Sequence, residues 1–189
     1  MTSPIVPKIR IAVLIAVLVL LQTSIGGDLR VAGVAPDLPL VLAIAGGIVG
    51  GAQTGAWVGF WTGLFFDFLA PATPIGLHAF TFCVAGFVVG TSFESVLEDR
   101  VLTVALVGAA ATAASVLVFV GVGDLLGQTQ LLASGRSWLL EVILVEAVWS
   151  AFLAVPTEWL YRRVGPHGGA PVRKGPISAA LPAREQRVQ

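Results

Sequence analysis

"GGIVGGAQTGAWVG", residues 46–59, lies in the middle of an apolar block that runs from Leu38 to Leu69. As a single helix this block would be about 48 Å long, whereas the hydrocarbon core of a bilayer is about 30 Å thick. The stretch is rich in glycine and holds the most polar dipeptide of the block, Gln53–Thr54. We therefore predict that the helix breaks here, which gives two short spans over about residues 38–51 and 54–70.

The composition of the chain is that of an integral membrane protein. Hydrophobic residues make up 56% and charged residues 12% of the sequence, and the mean hydropathy is +0.91. Average soluble domains carry about 25% charged residues. The formal net charge of zero gives no reason to expect nucleic acid as a partner. One cysteine, Cys83, excludes an intrachain disulfide, and two distant histidines do not predict a metal centre.

Four further apolar segments are long enough to span a membrane, over about residues 9–25, 77–93, 101–122 and 138–161. The first follows Lys8 and Arg10, as a secretory signal would. No cleavage site of small residues follows it, so we predict an uncleaved span. Trp138, Trp159 and Tyr161 are predicted to be interfacial anchors of the last span. The expected architecture is an all-α, six-helix transmembrane domain over residues 1–163, followed by a disordered, basic cytoplasmic tail over residues 164–189.

The basic residues orient this six-span arrangement. Nine of the 11 fall on the side of the two termini, and only Arg30 and Arg136 fall on the other side. This asymmetry predicts that both termini are cytoplasmic and that the loops 26–37, 70–76 and 124–137 are external. The nine are Lys8, Arg10, Arg100, Arg162, Arg163, Arg173, Lys174, Arg184 and Arg187.

Glycines recur every four residues across the broken block. Gly55, Gly59 and Gly63 can form one face of the third span, and small residues at this spacing let two helices approach closely. Packing within the chain is the favoured interpretation, and a homodimer seam is the alternative.

Two carboxylates in apolar surroundings are candidate functional groups. Asp67 lies one helical turn before Pro71, where it is expected near the external interface or capping a neighbouring helix. A structural role is favoured, with a proton or ligand site as the alternative. Glu146 has no basic neighbour in the sequence, so either another helix satisfies it or it contacts a partner. Pro156 is expected to bend the last helix, and Glu158 is expected to pair with Arg162.

No catalytic motif occurs in the chain. Walker loops, GxSxG, HExxH and clusters of histidine or cysteine are missing from the sequence. The connections are too short for a soluble catalytic domain, so we do not predict an enzyme, a metal or a cofactor.

Three stretches together resemble the MreD family of rod shape-determining membrane proteins. They are "LQTS" at residues 21–24, "GVAPDLPLVL" at residues 33–42 and "GAQTGAWVGFWTGLFFDFLAPATPIG" at residues 51–76. The similarity covers about residues 9–163. The family motif falls here on Pro36, Asp37, Gly59, Gly63, Asp67 and Gly76, and the family often carries a polar residue in its last span, where Glu146 lies.

The resemblance implies a six-helix bundle similar to the substrate-binding subunits of energy-coupling-factor vitamin transporters. It also implies a non-catalytic scaffold of the bacterial inner membrane that binds MreC and acts with MreB, RodA and a class B penicillin-binding protein in directing peptidoglycan synthesis. The alternative is a small-molecule-binding subunit of a vitamin-type transporter, for which residues 123–138 are the only candidate lid.

Overall fold

The computed structural model describes residues 5–25, 29–30, 33–69, 74–93, 100–127 and 135–165. Five helices make up this part of the chain: α1 (Ile5–Ile25), α2 (Leu38–Leu69), α3 (Leu77–Phe93), α4 (Arg100–Leu125) and α5 (Gly135–Val164). The predicted all-helical architecture is confirmed here. The predicted tail lies outside the described residues from residue 166 onward, as does most of the polar connection between α4 and α5.

The predicted break inside α2 is confirmed and lies at Gly51. Its backbone angles, φ 77° and ψ −178°, belong to a region that only glycine adopts without strain. Beyond this residue the chain returns along its own first half. A Cβ atom added to Gly46 would contact Val58, 3.2 Å from its Cβ atom, and one added to Gly55 would overlap Gly47. The two halves of α2 therefore lie side by side as a helical hairpin.

The first half of α2 is the centre of the bundle. Every residue from Pro39 to Ile48 is buried, as expected for a helix that is apolar on all sides. On one side Leu40 and Ile44 pack with Phe82 of α3 and with residues of α4 and α5. On the other side Leu42 packs with α1 and with the end of α5.

The outer surface of the bundle is apolar. Leu106, Leu144 and Phe152 are 60%, 65% and 74% exposed. Within the described residues, three helical segments are long and apolar enough to cross a membrane: Leu38–Leu69, Val101–Leu125 and Ser137–Val164. Leu77–Ser92 is a shorter apolar helix. Large exposed apolar areas of this kind mark a surface that does not face water, so these helices indicate a membrane protein.

Polar contacts join α4 to α5 and link side chains within the last turns of α5. The Thr112 hydroxyl donates to the Ser150 hydroxyl across the two helices over 2.7 Å. The predicted pairing of Arg162 with Glu158 is confirmed. The Arg163 guanidinium lies 3.9 Å from the ring centroid of Trp159. These contacts leave the cationic ends of both arginines at the surface of the molecule.

One predicted interfacial anchor is wrong. Trp138 and Trp159 are exposed, but Tyr161 is only 1% exposed. Tyr161 packs with Ile11 and Leu14 of α1, because the end of α5 lies against the beginning of α1. The sequence placed it near a helix end but could not show which face of that end is covered.

Candidate functional site

Asp37 starts the central helix. Its Oδ1 atom accepts a hydrogen bond from the Leu40 amide over 3.0 Å, and its carbonyl accepts from the Val41 amide over 3.1 Å. This is the arrangement of an N-cap residue, which satisfies amides that have no partner within the helix. The Leu38 amide donates to the side-chain oxygen of Gln22 on α1, 3.2 Å away. Pro36, just before the cap, is buried.

Asp67 caps the next helix from a distance. It is 1% exposed. Its Oδ2 atom accepts from the Gly76 amide over 2.8 Å and from the Ala79 amide over 3.3 Å, both at the start of α3. Gly76 has φ 100°, a left-handed conformation that suits glycine and turns its amide toward this carboxylate. The second half of α2 is thereby fixed to the beginning of α3.

The other oxygen of the same carboxylate meets a histidine. Oδ1 of Asp67 lies 2.6 Å from Nδ1 of His78. The His78 ring is surrounded by the rings of Phe66, Phe82 and Phe119, with centroids 4.9, 5.5 and 4.7 Å away. The sequence assigned no role to His78, because the two histidines of the chain are too few and too far apart to predict a metal centre. The contact could have been predicted from the position of His78, which lies at the start of the helix after Asp67, because a short connection brings the two helix ends together.

Gly59 and Gly63 lie on the seam between α2 and α3. A Cβ atom at Gly59 would overlap the Phe82 carbonyl, and one at Gly63 would overlap the His78 carbonyl. Gly86 of α3 faces Gly55 in the same way. The two helices therefore meet backbone to backbone along a stripe of small residues. This seam holds His78 and Asp67 at their observed separation.

A cleft of about 430 Å³ opens beside this seam. All five helices contribute to it, together with residues 33–37, and its polar lining includes Arg30, Asp37, His78, Ser115 and Glu146. Burial raises the pKa of Asp37, although the Leu40 amide and the nearby His78 oppose that rise. The cleft thus combines apolar walls with a small number of polar groups, as ligand and peptide sites do.

Glu146 faces this cleft from α5, about two turns beyond Trp138. Among the described residues none forms a hydrogen bond or an ion pair with its carboxylate. Asp37 lines the same cleft, so two acidic side chains share one space. Pro156 lies far along α5, is exposed and does not line the cleft, and α5 continues through it. The expected bend at Pro156 stays a prediction.

Comparison with known proteins decides the family. The model of the family "rod shape-determining protein MreD" matches residues 5–164. The chain belongs to the MreD family. None of the curated proteins and none of the solved structures compared with it matches. The match spans every described helix of the chain.

The residues on which the resemblance places the family motif occupy three places in the fold. Pro36 and Asp37 begin the central helix at the cleft, Gly59 and Gly63 form the α2–α3 seam, and Asp67 is tied to Gly76. Glu146 reaches the cleft from a distant part of the sequence. Within the described residues, no group of three or more His, Cys, Asp or Glu side chains is placed to hold a metal ion.

Proposed function

We propose that this MreD-family chain is a multi-pass protein of the bacterial plasma membrane with six spans and cytoplasmic termini. Membership in a family of rod shape-determining proteins supports a bacterial envelope location. The hairpin at Gly51 supports two spans within α2. The other four spans are α1, α3, α4 and α5. The excess of basic residues on the side of the termini supports the orientation. A bundle similar to vitamin-transporter substrate subunits is part of the same proposal.

Within this arrangement the chain acts as a non-catalytic scaffold that binds MreC, and through it works with MreB, RodA and a class B penicillin-binding protein. The cleft is the observation that carries this proposal. It opens beside residues 33–37 and Trp138, at the end of the molecule that the basic residues assign to the outside. A partner segment can therefore enter it from the external face.

The chemistry of the cleft suits a polypeptide segment. Among the described residues no hydrogen bond or ion pair engages the Glu146 carboxylate, so it is available to a donor that enters the cleft. A segment of MreC that brings a hydrogen-bond donor or a basic group would pair with Glu146 and pack against the apolar walls at Phe119 and Val142. Binding would then be strongest when both the polar and the apolar contacts form.

A second candidate function has one observation in its favour. The cleft volume of about 430 Å³ lies within the range of 300–1,000 Å³ that is usual for small-molecule sites. A vitamin-type ligand held by Arg30, Ser115 and Glu146 would use the same space.

One purification separates the two functions. The chain is isolated from its native membrane in mild detergent and analysed for co-eluting proteins and, after denaturation, for released small molecules. We expect MreC in stoichiometric amount and no bound vitamin. A stoichiometric vitamin in the absence of MreC would support the transporter function and overturn the scaffold proposal.

A further inference from the structure

A second groove runs along the outer surface between α1 and the second half of α2. Its volume is about 390 Å³ and its walls are almost entirely apolar. One wall carries Ala12 and Ala16 of α1, and the opposite wall is aromatic. The aromatic wall consists of Trp57, Trp61, Phe65 and Phe68, which are 47%, 46%, 38% and 62% exposed. This groove is separate from the cleft and shares none of its residues.

Basic residues at the beginning of α1 and the end of α5 lie near one end of this groove. Lys8 is four residues before Ala12, so it lies one helical turn earlier on the same face of α1. Side chains on a helix point toward its N-terminus, so the Lys8 ammonium group lies further beyond the end of the groove. The beginning of α1 packs against the end of α5, where Arg162 and Arg163 are exposed. Lys8, Arg10, Arg162 and Arg163 therefore gather at this end.

The walls of the groove favour a flexible chain over a partner helix. Helices pack in membranes through small residues that allow backbones to approach. Here one wall is lined with bulky rings, and Trp57 and Trp61 stand 6.1 Å apart, centroid to centroid. An apolar groove with basic residues beyond one of its ends matches an acyl chain attached to a negative headgroup.

We infer that this groove binds one acyl chain of an anionic phospholipid, whose headgroup phosphate is held by Lys8 with support from the neighbouring arginines. Such a lipid would remain with the protein in detergent and would hold α1 against α2. The inference depends on the chain being a membrane protein and not on its binding of MreC.

The test uses the full chain, purified in a neutral detergent and stripped of lipid. Phosphatidylglycerol and phosphatidylcholine with the same acyl chains are added separately, and bound lipid is counted by native mass spectrometry. We expect one tightly bound phosphatidylglycerol and at least fivefold weaker binding of phosphatidylcholine. Lys8→Gln should weaken phosphatidylglycerol binding about fivefold, because one basic residue near a membrane surface contributes about that factor.

Two matched controls keep the test specific. Ala12→Phe fills the groove and should abolish the tight lipid, whereas Val13→Phe adds the same ring at a position that is 56% exposed and outside the groove. Arg10→Gln removes a charge two residues from Lys8, on another face of α1, and should have a smaller effect than Lys8→Gln.

Each of the following results would overturn the inference. The first is equal retention of both lipids. The second is an Ala12→Phe variant that folds normally, by helical content and gel filtration, and still binds phosphatidylglycerol as tightly as the unmodified chain. The third is a stripped chain that is dimeric and becomes monomeric with Ala12→Phe, since the groove would then hold a second copy. Inorganic phosphate alone should displace no lipid, and displacement by it would contradict an acyl-chain site.

Discussion

Asp67 and His78 join two helices through one carboxylate. Oδ1 of Asp67 lies 2.6 Å from Nδ1 of His78, while Oδ2 accepts from the amides of Gly76 and Ala79. The end of α2 is thereby fixed to the beginning of α3 at the edge of the cleft that His78 lines. The carboxylate that the sequence singles out is thus engaged in capping and in holding a ring, and both interactions can be removed separately.

Replacing Asp67 tests the capping. Asp67→Asn keeps the size and one acceptor, so we expect membrane levels close to those of the unmodified chain. Asp67→Leu leaves two amides without an acceptor, and it should destabilise the fold by roughly 1–3 kcal/mol. Membrane abundance and thermal denaturation in detergent measure the difference. An Asn variant that folds and binds MreC but fails to restore rod shape would show that the charge itself has a function.

A double-mutant cycle tests the contact between the two side chains. His78→Phe keeps a ring among Phe66, Phe82 and Phe119 but removes the nitrogen that meets Asp67. Residues in direct contact usually couple by about 0.5–3 kcal/mol. We therefore expect the free energies of unfolding of His78→Phe and Asp67→Leu to be non-additive within that range, because each variant removes one side of the contact. Strict additivity would mean that the contact contributes nothing to stability.

The α2–α3 seam is expected to tolerate no side chain. Gly59→Leu and Gly63→Leu would drive atoms into the carbonyls of Phe82 and His78, so neither variant should accumulate in the membrane. Gly121→Leu is the matched control, because a Cβ atom there meets nothing within 4 Å. Normal accumulation of the first two variants together with MreC binding would disprove the close packing.

Membrane topology is tested by labelling whole cells with an impermeant thiol reagent, in a Cys83→Ala background. Ala133→Cys lies in the predicted external connection and Ser178→Cys in the predicted cytoplasmic tail. We expect labelling of the first and not of the second. The reverse pattern would invert the orientation and place the cleft on the cytoplasmic side.

Length and glycine content sufficed to predict the helical hairpin, because no single helix of that length fits a bilayer and the backbone conformation at Gly51 is one that only glycine adopts without strain. Capping of a neighbouring helix was one of the two placements that the sequence predicted for Asp67. It did not predict the contact with His78 or the burial of Tyr161, since each depends on which helix faces which. The cleft could not be predicted from the sequence either, because Asp37 and Glu146 are brought together only by the packing of α2 and α5.

The most direct test of the scaffold proposal fills the cleft and measures MreC binding. Val142 lines the cleft on α5, whereas Leu144, two residues later, is 65% exposed on the outer surface. We compare the amounts of MreC that co-purify with Val142→Trp and Leu144→Trp, each normalised to the membrane level of the variant. The proposal predicts at least a tenfold loss of MreC with Val142→Trp and no loss with Leu144→Trp. Unchanged MreC binding by a normally folded Val142→Trp variant would contradict it.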